Sequence, residues 1–200
     1  RVVSPTDPNF CEGTVVYTYH YIACDLETTY DWVYTVSVND NIAPTFTAPA
    51  DITIYSDANC AYDATVNATG DVTDEVDNCS TGLDATFADV VDATDPCAII
   101  ITRTWSLVDD CGNEAEDQVQ IITAHDNILP TMSCPTAPTA VCDISEAPAY
   151  ADLAAFLAAG GTASDNCAID PASFAVSDAS DGLTCPQTIT RTYTIADLCG

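Results

Sequence analysis

The chain repeats itself with a period of 86 to 88 residues, and this repeat limits its possible folds more than any other feature. Segment 101–112, ITRTWSLVDDCG, returns 88 residues later as 189–200, ITRTYTIADLCG. Segment 38–46, VNDNIAPTF, returns 86 residues later as 124–132, AHDNILPTM. A unit of this length has room for one small domain, so the repeat predicts a tandem array.

The repeats can be placed along the chain from these matches. We expect the C-terminal part of a first repeat at 1–42, a complete repeat at 43–128 and an incomplete third repeat at 129–200. We also expect the array to continue beyond both ends of the chain, with any targeting signals located there.

Apolar and polar residues alternate inside the complete repeat, as in β-strands. The alternation is clearest at 51–55, 84–91, 99–108 and 118–124, and Asp, Asn, Gly and Pro separate these runs. Short strands at this spacing predict an all-β fold, an antiparallel β-sandwich of the immunoglobulin-like type. Segment 147–161 is instead rich in helix formers and ends in glycine, which predicts a short helix inserted in the last repeat.

The charge of the chain excludes several classes of partner. The chain has 31 acidic residues and only three basic ones, which gives a net charge of −28. Nucleic acids and anionic membrane surfaces would be repelled by such a surface, so we expect no nucleic-acid partner and no direct membrane insertion.

Eleven cysteines are dense for a chain of 200 residues, and their spacing lacks the paired CxxC or HxxxH pattern of a zinc site. Oxidised disulfides are the better explanation, and they predict a secreted, extracellular protein.

Four cysteines in the complete repeat allow three connectivities, which the sequence alone does not decide. If 83–91 and 98–108 form one hairpin and 51–56 and 61–67 another, Cys79 lies near Cys111 and Cys60 near Cys97. Translation by one repeat then pairs Cys142 with Cys185 and Cys167 with Cys199. We expect the partners of Cys11, Cys24 and Cys134 outside this chain, although Cys11 with Cys24 is an open alternative.

The repeat junctions carry the motif Asp-Asn-x-x-Pro, at Asp40 and Asn41 and again at Asp126 and Asn127. Calcium takes six to eight oxygen ligands, which these side chains can supply in part, and the motif is similar to the calcium-binding linker of cadherins. We expect three more oxygen donors near this end of the repeat: Asp109, Asp110 and Asn113. The competing interpretation is turn chemistry, because Asp and Asn bond their own backbone and Pro ends a strand.

Arg103 and Arg191 occupy the same position of successive repeats. A repeated position more simply serves the fold, so we expect structural ion pairs with carboxylates on the strands; anchoring of a ligand is the alternative. Trp105 and Tyr193, two residues further on, are predicted core residues rather than a platform for sugars. The chain lacks a phosphate-binding glycine loop, a nucleophile elbow and an HExxH motif, so we do not expect an enzyme.

A signature of short motifs recurs along the chain: Asp-Asn-Cys, then Thr-Arg-Thr-Trp/Tyr, then Asp-x-Cys-Gly, then Asp-Asn-x-x-Pro-Thr. It resembles the hyalin repeats and immunoglobulin-like tandem repeats of very large surface proteins of Bacteroidota, including gliding-motility adhesins. The resemblance implies export through the outer-membrane secretion route of those bacteria, a C-terminal sorting domain elsewhere and a role in adhesion or gliding. The first repeat departs from the signature, because Cys24-Asp-Leu replaces Cys-Gly-Asn.

Three functions follow as hypotheses. The first is the structural stalk of a cell-surface adhesin, whose partners are the neighbouring repeats of the same long chain. The second is a module that binds a glycan or a surface through exposed aromatic residues such as Tyr17, Tyr19, Tyr21 and Tyr34. The third is a filament subunit that assembles by exchanging strands.

Overall fold

The protein is mostly β-structure, in small sheets. A computed structural model of the chain describes residues 11–137, 143–183 and 187–200, with the backbone of Val2–Val3. The strands are β1 (Val2–Val3), β2 (Glu12–Ile22), β3 (Thr29–Asn39), β4 (Ile52–Tyr55), β5 (Thr86–Asp92), β6 (Ile99–Ser106), β7 (Gln118–His125), β8 (Thr131–Ser133), β9 (Thr162–Ser164), β10 (Ile169–Ser180) and β11 (Ile189–Asp197). The helices are α1 (Val66–Thr69), α2 (Leu153–Ala158) and a 3-10 turn at Ile144–Glu146.

The chain divides into two compact units, each assembled from several segments. The first unit comprises Arg1–Asp51, Thr69–Val90 and Thr102–Ile121. The second comprises Ile52–Ala68, Val91–Ile101 and Ile122–Gly200.

The first unit contains an antiparallel sheet in the order β1-β2-β3. Strands β2 and β3 are paired along their whole length, from Glu12 opposite Asn39 to Ile22 opposite Thr29. The turn between them is closed by Asp25, whose carboxylate accepts hydrogen bonds from the backbone N–H groups of Glu27 and Thr28 at 3.1 and 3.0 Å.

A four-stranded sheet has the order β4-β7-β6-β5. Alternate residues of β6 point into the core, as the period of two predicts, and Trp105 is completely buried. Gln120 on β7 is also completely buried and donates to the backbone carbonyls of Ala50 and Thr69.

The predicted hairpin of 51–56 with 61–67 does not form. Strand β4 instead pairs in parallel with β7, with Ile52 opposite Ile122. After β4 the chain leaves the ladder, because the Asp57 carboxylate accepts from the N–H groups of Asn59 and Ala61 and closes a loop. Cys60, inside this loop, has a left-handed backbone with φ of 58°. The other predicted hairpin matches β5 and β6, which are hydrogen-bonded neighbours.

The second unit contains the predicted inserted helix, which is shorter than the segment 147–161. Helix α2 begins at Leu153, because Asp152 accepts a hydrogen bond from the N–H of Ala155 as an N-cap. Phe156 is completely buried and its ring lies 5.1 Å from that of Tyr193 on β11 and 5.5 Å from that of Phe174 on β10. Gly161 passes so close to the Phe156 ring that a β-carbon there would clash with it.

Candidate functional site

Three disulfides form among the described residues, and each joins cysteines of successive sequence repeats. Cys11 bonds to Cys111, Cys60 to Cys167 and Cys97 to Cys199. Their sequence separations of 100, 107 and 102 residues all exceed the repeat length. The Cα atoms of each pair lie 4.8–5.1 Å apart, within the normal range for a disulfide.

This connectivity corrects the pairs predicted within one repeat, namely Cys60 with Cys97, Cys79 with Cys111 and Cys167 with Cys199. The physical reason is that 61–67 forms no strand, so the hairpin that was to bring Cys60 beside Cys97 is missing. The predicted pair of Cys142 with Cys185 lies outside the described residues. For Cys11 the sequence predicts a partner outside the chain or, alternatively, Cys24; both predictions are wrong, because Cys11 bonds to Cys111.

Two of these bonds are the same bond in successive repeats. Cys97 lies 86 residues after Cys11, and Cys199 lies 88 residues after Cys111. The remaining described cysteines, Cys24, Cys79 and Cys134, are free. Burial and the charge of Asp40 raise the pKa of the Cys79 thiol.

A first carboxylate cluster lies beside the Cys11–Cys111 disulfide. Asp40 donates its backbone N–H to the carbonyl of Cys11 at 2.7 Å, and its Oδ1 accepts from Asn78 at 3.2 Å. Asp109 accepts from the N–H groups of Cys111 and Asn113, both at 2.8 Å, and from the Asn113 side chain at 2.7 Å. Carboxylate atoms of Asp40 and Asp109 lie within 4.8 Å of each other.

Asp77 lies close enough to Asp109 for the two charges to interact, and we include it in the first cluster. One of its oxygens accepts from the N–H groups of Cys79 and Ser80 at 2.8 and 2.7 Å. These hydrogen bonds lower the pKa of Asp77, while the nearby charge of Asp109 acts in the opposite direction.

A second carboxylate cluster repeats this arrangement beside Cys167 and Cys199. Oxygens of Asp126, Asp165 and Asp197 all lie within 4.8 Å of one another. Asp126 Oδ1 accepts from Asn166 at 3.0 Å, Asp165 from the N–H of Cys167 at 2.8 Å, and Asp197 from the N–H of Cys199 at 2.7 Å. Asp165 and Asp197 follow Asp77 and Asp109 by 88 residues, and Asp126 follows Asp40 by 86.

Hydrogen bonds favour the charged form of Asp109 in the first cluster and of Asp126 in the second. Burial alone would raise the pKa of Asp109, but bonds from Asn113, Cys111 and Gly112 outweigh it and the pKa is lowered. Burial likewise opposes the bonds from Asn166, Ile128 and Ser56 to Asp126, whose pKa is also lowered. Asp109 and Asp126 are therefore charged at neutral pH.

The structure places the predicted calcium ligands in two groups. Asp40, Asp109, Asn113 and Asp126 belong to the clusters, whereas Asn41, Asp110 and Asn127 are exposed at the surface. Reasoning from the sequence missed Asp77, Asp165, Asn166 and Asp197. The signal that could have found them is the Asp-Asn-Cys motif, which recurs at 77–79 and 165–167.

Arg103 and Arg191 each form a bidentate ion pair with a carboxylate on the neighbouring strand. Arg103 donates to Asp89 through Nε and Nη2, both at 2.8 Å, and Arg191 donates to Asp178 at 2.7 and 2.8 Å. The hydrogen bond from Arg191 lowers the pKa of Asp178.

Aromatic residues cover one face of the β2–β3 hairpin. They stand directly opposite one another in three cross-strand pairs: Tyr17 with Tyr34, Tyr19 with Trp32, and Tyr21 with Tyr30. Tyr19 and Trp32 have ring centroids 5.4 Å apart, and Trp32 and Tyr34 6.1 Å. The side chains of Tyr21, Tyr30, Trp32 and Tyr34 are more than half exposed.

No protein-family model, curated protein or solved structure matches the chain. Within the described residues, none of the helices has the length and apolar character needed to cross a membrane. The three disulfides are typical of proteins from an oxidising, extracellular environment.

Proposed function

We propose that this chain is a structural segment of an extracellular surface protein that withstands pulling forces, and that each repeat is covalently tied to the next. The observation that carries the proposal is the connectivity of the three disulfides, each of which joins successive repeats. Such bonds suit a stalk under tension, because force can then pass through covalent links rather than through the hydrogen bonds of the sheets.

The disulfides create a short covalent path through the protein. From Cys11 the path crosses to Cys111, follows the backbone back to Cys97, and crosses to Cys199. Only the backbone between Cys97 and Cys111 lies on it. A pulling force at the two ends is therefore carried mainly by disulfides, and unfolding of the sheets adds little length.

Single-molecule force spectroscopy tests this proposal. In the oxidised chain we expect the span from Cys11 to Cys199 to reach about 5 nm when fully extended, at roughly 3.4 Å per residue. After reduction the same span should reach about 64 nm. An oxidised chain whose span from Cys11 to Cys199 extends by several tens of nanometres would contradict the proposal that disulfides carry the force.

Two pairs of substitutions give a matched control. Replacing Cys60 and Cys167 by alanine removes a disulfide that is not on the shortest path, so the oxidised extension should not change. Replacing Cys97 and Cys199 forces the path through Cys60 and Cys167, and the extension should rise to about 28 nm.

The finer assignment is an immunoglobulin-like, hyalin-type repeat of a Bacteroidota adhesin at the cell surface, acting in adhesion or gliding. Its support is the recurring signature from Asp-Asn-Cys to Asp-Asn-x-x-Pro-Thr, together with the β-rich fold. Its partners are then the neighbouring repeats, because the disulfides already join repeats inside this chain.

The aromatic face of β2 and β3 favours a second candidate function, the binding of a neutral glycan. Exposed, aligned aromatic rings are the surface on which sugar rings stack, and the acidic chain would repel acidic sugars. On an array of neutral oligosaccharides, Trp32→Ala should abolish binding. Val33→Ala should leave it intact, because Val33 is equally exposed on the opposite face of β3. Failure of the unmodified chain to bind any sugar on the array would reject this candidate.

A further inference from the structure

Buried oxygens without a hydrogen-bond partner occur at equivalent positions of the two carboxylate clusters. Asp40 Oδ2 and Asp77 Oδ1 are unpartnered in the first cluster. Asp126 Oδ2 and Asp165 Oδ1, their equivalents in the next repeat, are unpartnered in the second. Asp40 is only 9% exposed, so water reaches it poorly. A buried carboxylate oxygen destabilises the fold unless a hydrogen-bond donor or a cation contacts it.

We propose that each cluster binds one calcium ion. In the first cluster the ligands are the free oxygens of Asp40 and Asp77 together with the carboxylate of Asp109. In the second they are the free oxygens of Asp126 and Asp165, the side-chain oxygen of Asn166, which is also buried and unpartnered, and the carboxylate of Asp197.

The same carboxylates serve a turn and a metal with different oxygens. Asp40 Oδ1 accepts from the N–H of Ile42 at 3.3 Å, and Asp126 Oδ1 accepts from the N–H of Ile128 at 3.2 Å, which is the turn chemistry expected of Asp-Asn-x-x-Pro. The second oxygen of each carboxylate remains buried and free. Turn and metal binding are therefore compatible, although the sequence presents them as alternatives.

The described arginines do not neutralise either cluster, because Arg103 and Arg191 pair with Asp89 and Asp178. Three carboxylates whose oxygens lie within 4.8 Å repel one another strongly in the second cluster. A divalent cation converts this repulsion into attraction.

The donor atoms select calcium over other metals. They are all oxygens, whereas zinc prefers nitrogen and sulfur, and the sulfur of Cys111 beside the first cluster is bonded to Cys11. Magnesium requires near-ideal octahedral geometry and keeps several waters, while calcium accepts irregular sets of carboxylate and amide oxygens. Calcium is also the abundant divalent cation outside cells, where modules bind it with dissociation constants of about 10⁻⁴–10⁻³ M.

Isothermal titration calorimetry of the oxidised chain with calcium chloride, near physiological ionic strength, tests the proposal. We expect two ions per chain. Asp40→Asn should reduce this number to one, Asp126→Asn should also reduce it to one, and the double variant should bind none. If Asp40→Asn fails to fold by circular dichroism, Asp126→Asn tests the other cluster independently.

Asp110→Asn is the matched control. It removes the same charge next to Asp109, but Asp110 is exposed and contributes only its backbone N–H to Ser80, at 3.1 Å. This variant should still bind two ions. No binding at millimolar calcium would overturn the proposal, as would two ions bound by the double variant or equally tight binding of magnesium.

This inference does not rest on the stalk function. The force measurement depends on the disulfides and the calorimetry on the carboxylates, so either result can fail without the other.

Discussion

At the scale of single residues, Arg103 shows how the repeat uses one of its few cations. Its side chain is 1% exposed and is held by Asp89 on one side and by the hydroxyl of Thr69, at 2.9 Å, on the other. The guanidinium lies 4.0 Å from the centre of the Phe87 ring. Arg191 makes the equivalent pair with Asp178. Both side chains of this pair are more exposed to solvent than those of Arg103 and Asp89.

This difference in burial predicts different costs of mutation. Arg103→Ala leaves Asp89 without its partner beside the core, and we expect a loss of about 2–4 kcal/mol in the free energy of unfolding. Arg191→Ala should cost clearly less, because water can replace the lost contact. Urea unfolding, followed by the fluorescence of Trp105 for the first variant and by circular dichroism for both, measures the two losses.

Lysine supplies the control for this comparison. Arg103→Lys keeps the charge but loses the planar guanidinium that contacts both oxygens of Asp89. Its free energy of unfolding should therefore lie between that of Arg103→Ala and that of the unmodified chain. Equal losses for Arg103→Ala and Arg191→Ala would show that burial does not set the strength of these pairs.

Residue patterns predicted part of the two carboxylate clusters and missed the rest for a physical reason. Asp40 and Asp126 stand out in the linker motif, and Asp109 follows from its place in the repeat. Asp77 and Asp165 lie in the Asp-Asn-Cys motif, which by itself does not indicate a metal site. Only the fold shows that these side chains meet, because the hydrogen bonds from Asn78 to Asp40 and from Asn166 to Asp126 join residues 38 and 40 positions apart.

At the scale of elements, local patterns predicted what local interactions determine. Strands β6 and β7 follow the alternation of apolar residues, and α2 follows the helix formers near Leu153. The helix is short because Asp152 caps it at the start, and Gly160 ends it with a left-handed backbone, at φ of 98°.

The partner of β4 could not be predicted in this way. Ile52–Tyr55 has the alternation of a strand, but its pairing with β7, some 70 residues away, depends on the whole fold. The disulfides depend on the same long-range geometry. Asn166, for example, donates to the carbonyl of Asp57 at 3.0 Å and so holds Cys167 near Cys60, a contact that repeat spacing alone does not reveal.

At the scale of the whole molecule, two electrostatic effects oppose each other. The net charge of −28 makes the folded chain repel itself, and acid relieves this repulsion. The same carboxylates hold turns and clusters together when they are charged. Hydrogen bonds lower the pKa below the ordinary value of 3.8 in a large set of aspartates: Asp25, Asp57, Asp63, Asp74, Asp77, Asp92, Asp109, Asp126, Asp143, Asp178 and Asp181.

The lowered pKa values decide the direction of the pH dependence. A carboxyl with a lower pKa in the folded state stabilises the fold above its unfolded pKa, and that stabilisation is lost as the pH falls through the folded value. In calcium-free buffer we therefore expect a melting temperature that is nearly constant from pH 7 to about pH 5 and falls steeply below about pH 3.8. Scanning calorimetry at several pH values measures this curve, and a melting temperature that rises at pH 3 would show that self-repulsion outweighs the hydrogen bonds.

Salt and one substitution separate the two effects. Added sodium chloride should raise the melting temperature at pH 7, because it screens repulsion between exposed charges, but it should not remove the fall in acid. Asp57→Asn can still accept from the N–H groups of Asn59 and Ala61 but does not titrate, so this variant should lose less stability between pH 5 and pH 3 than the unmodified chain. Its acid curve thus tests whether the turn aspartates, rather than the total charge, limit the stability of the molecule.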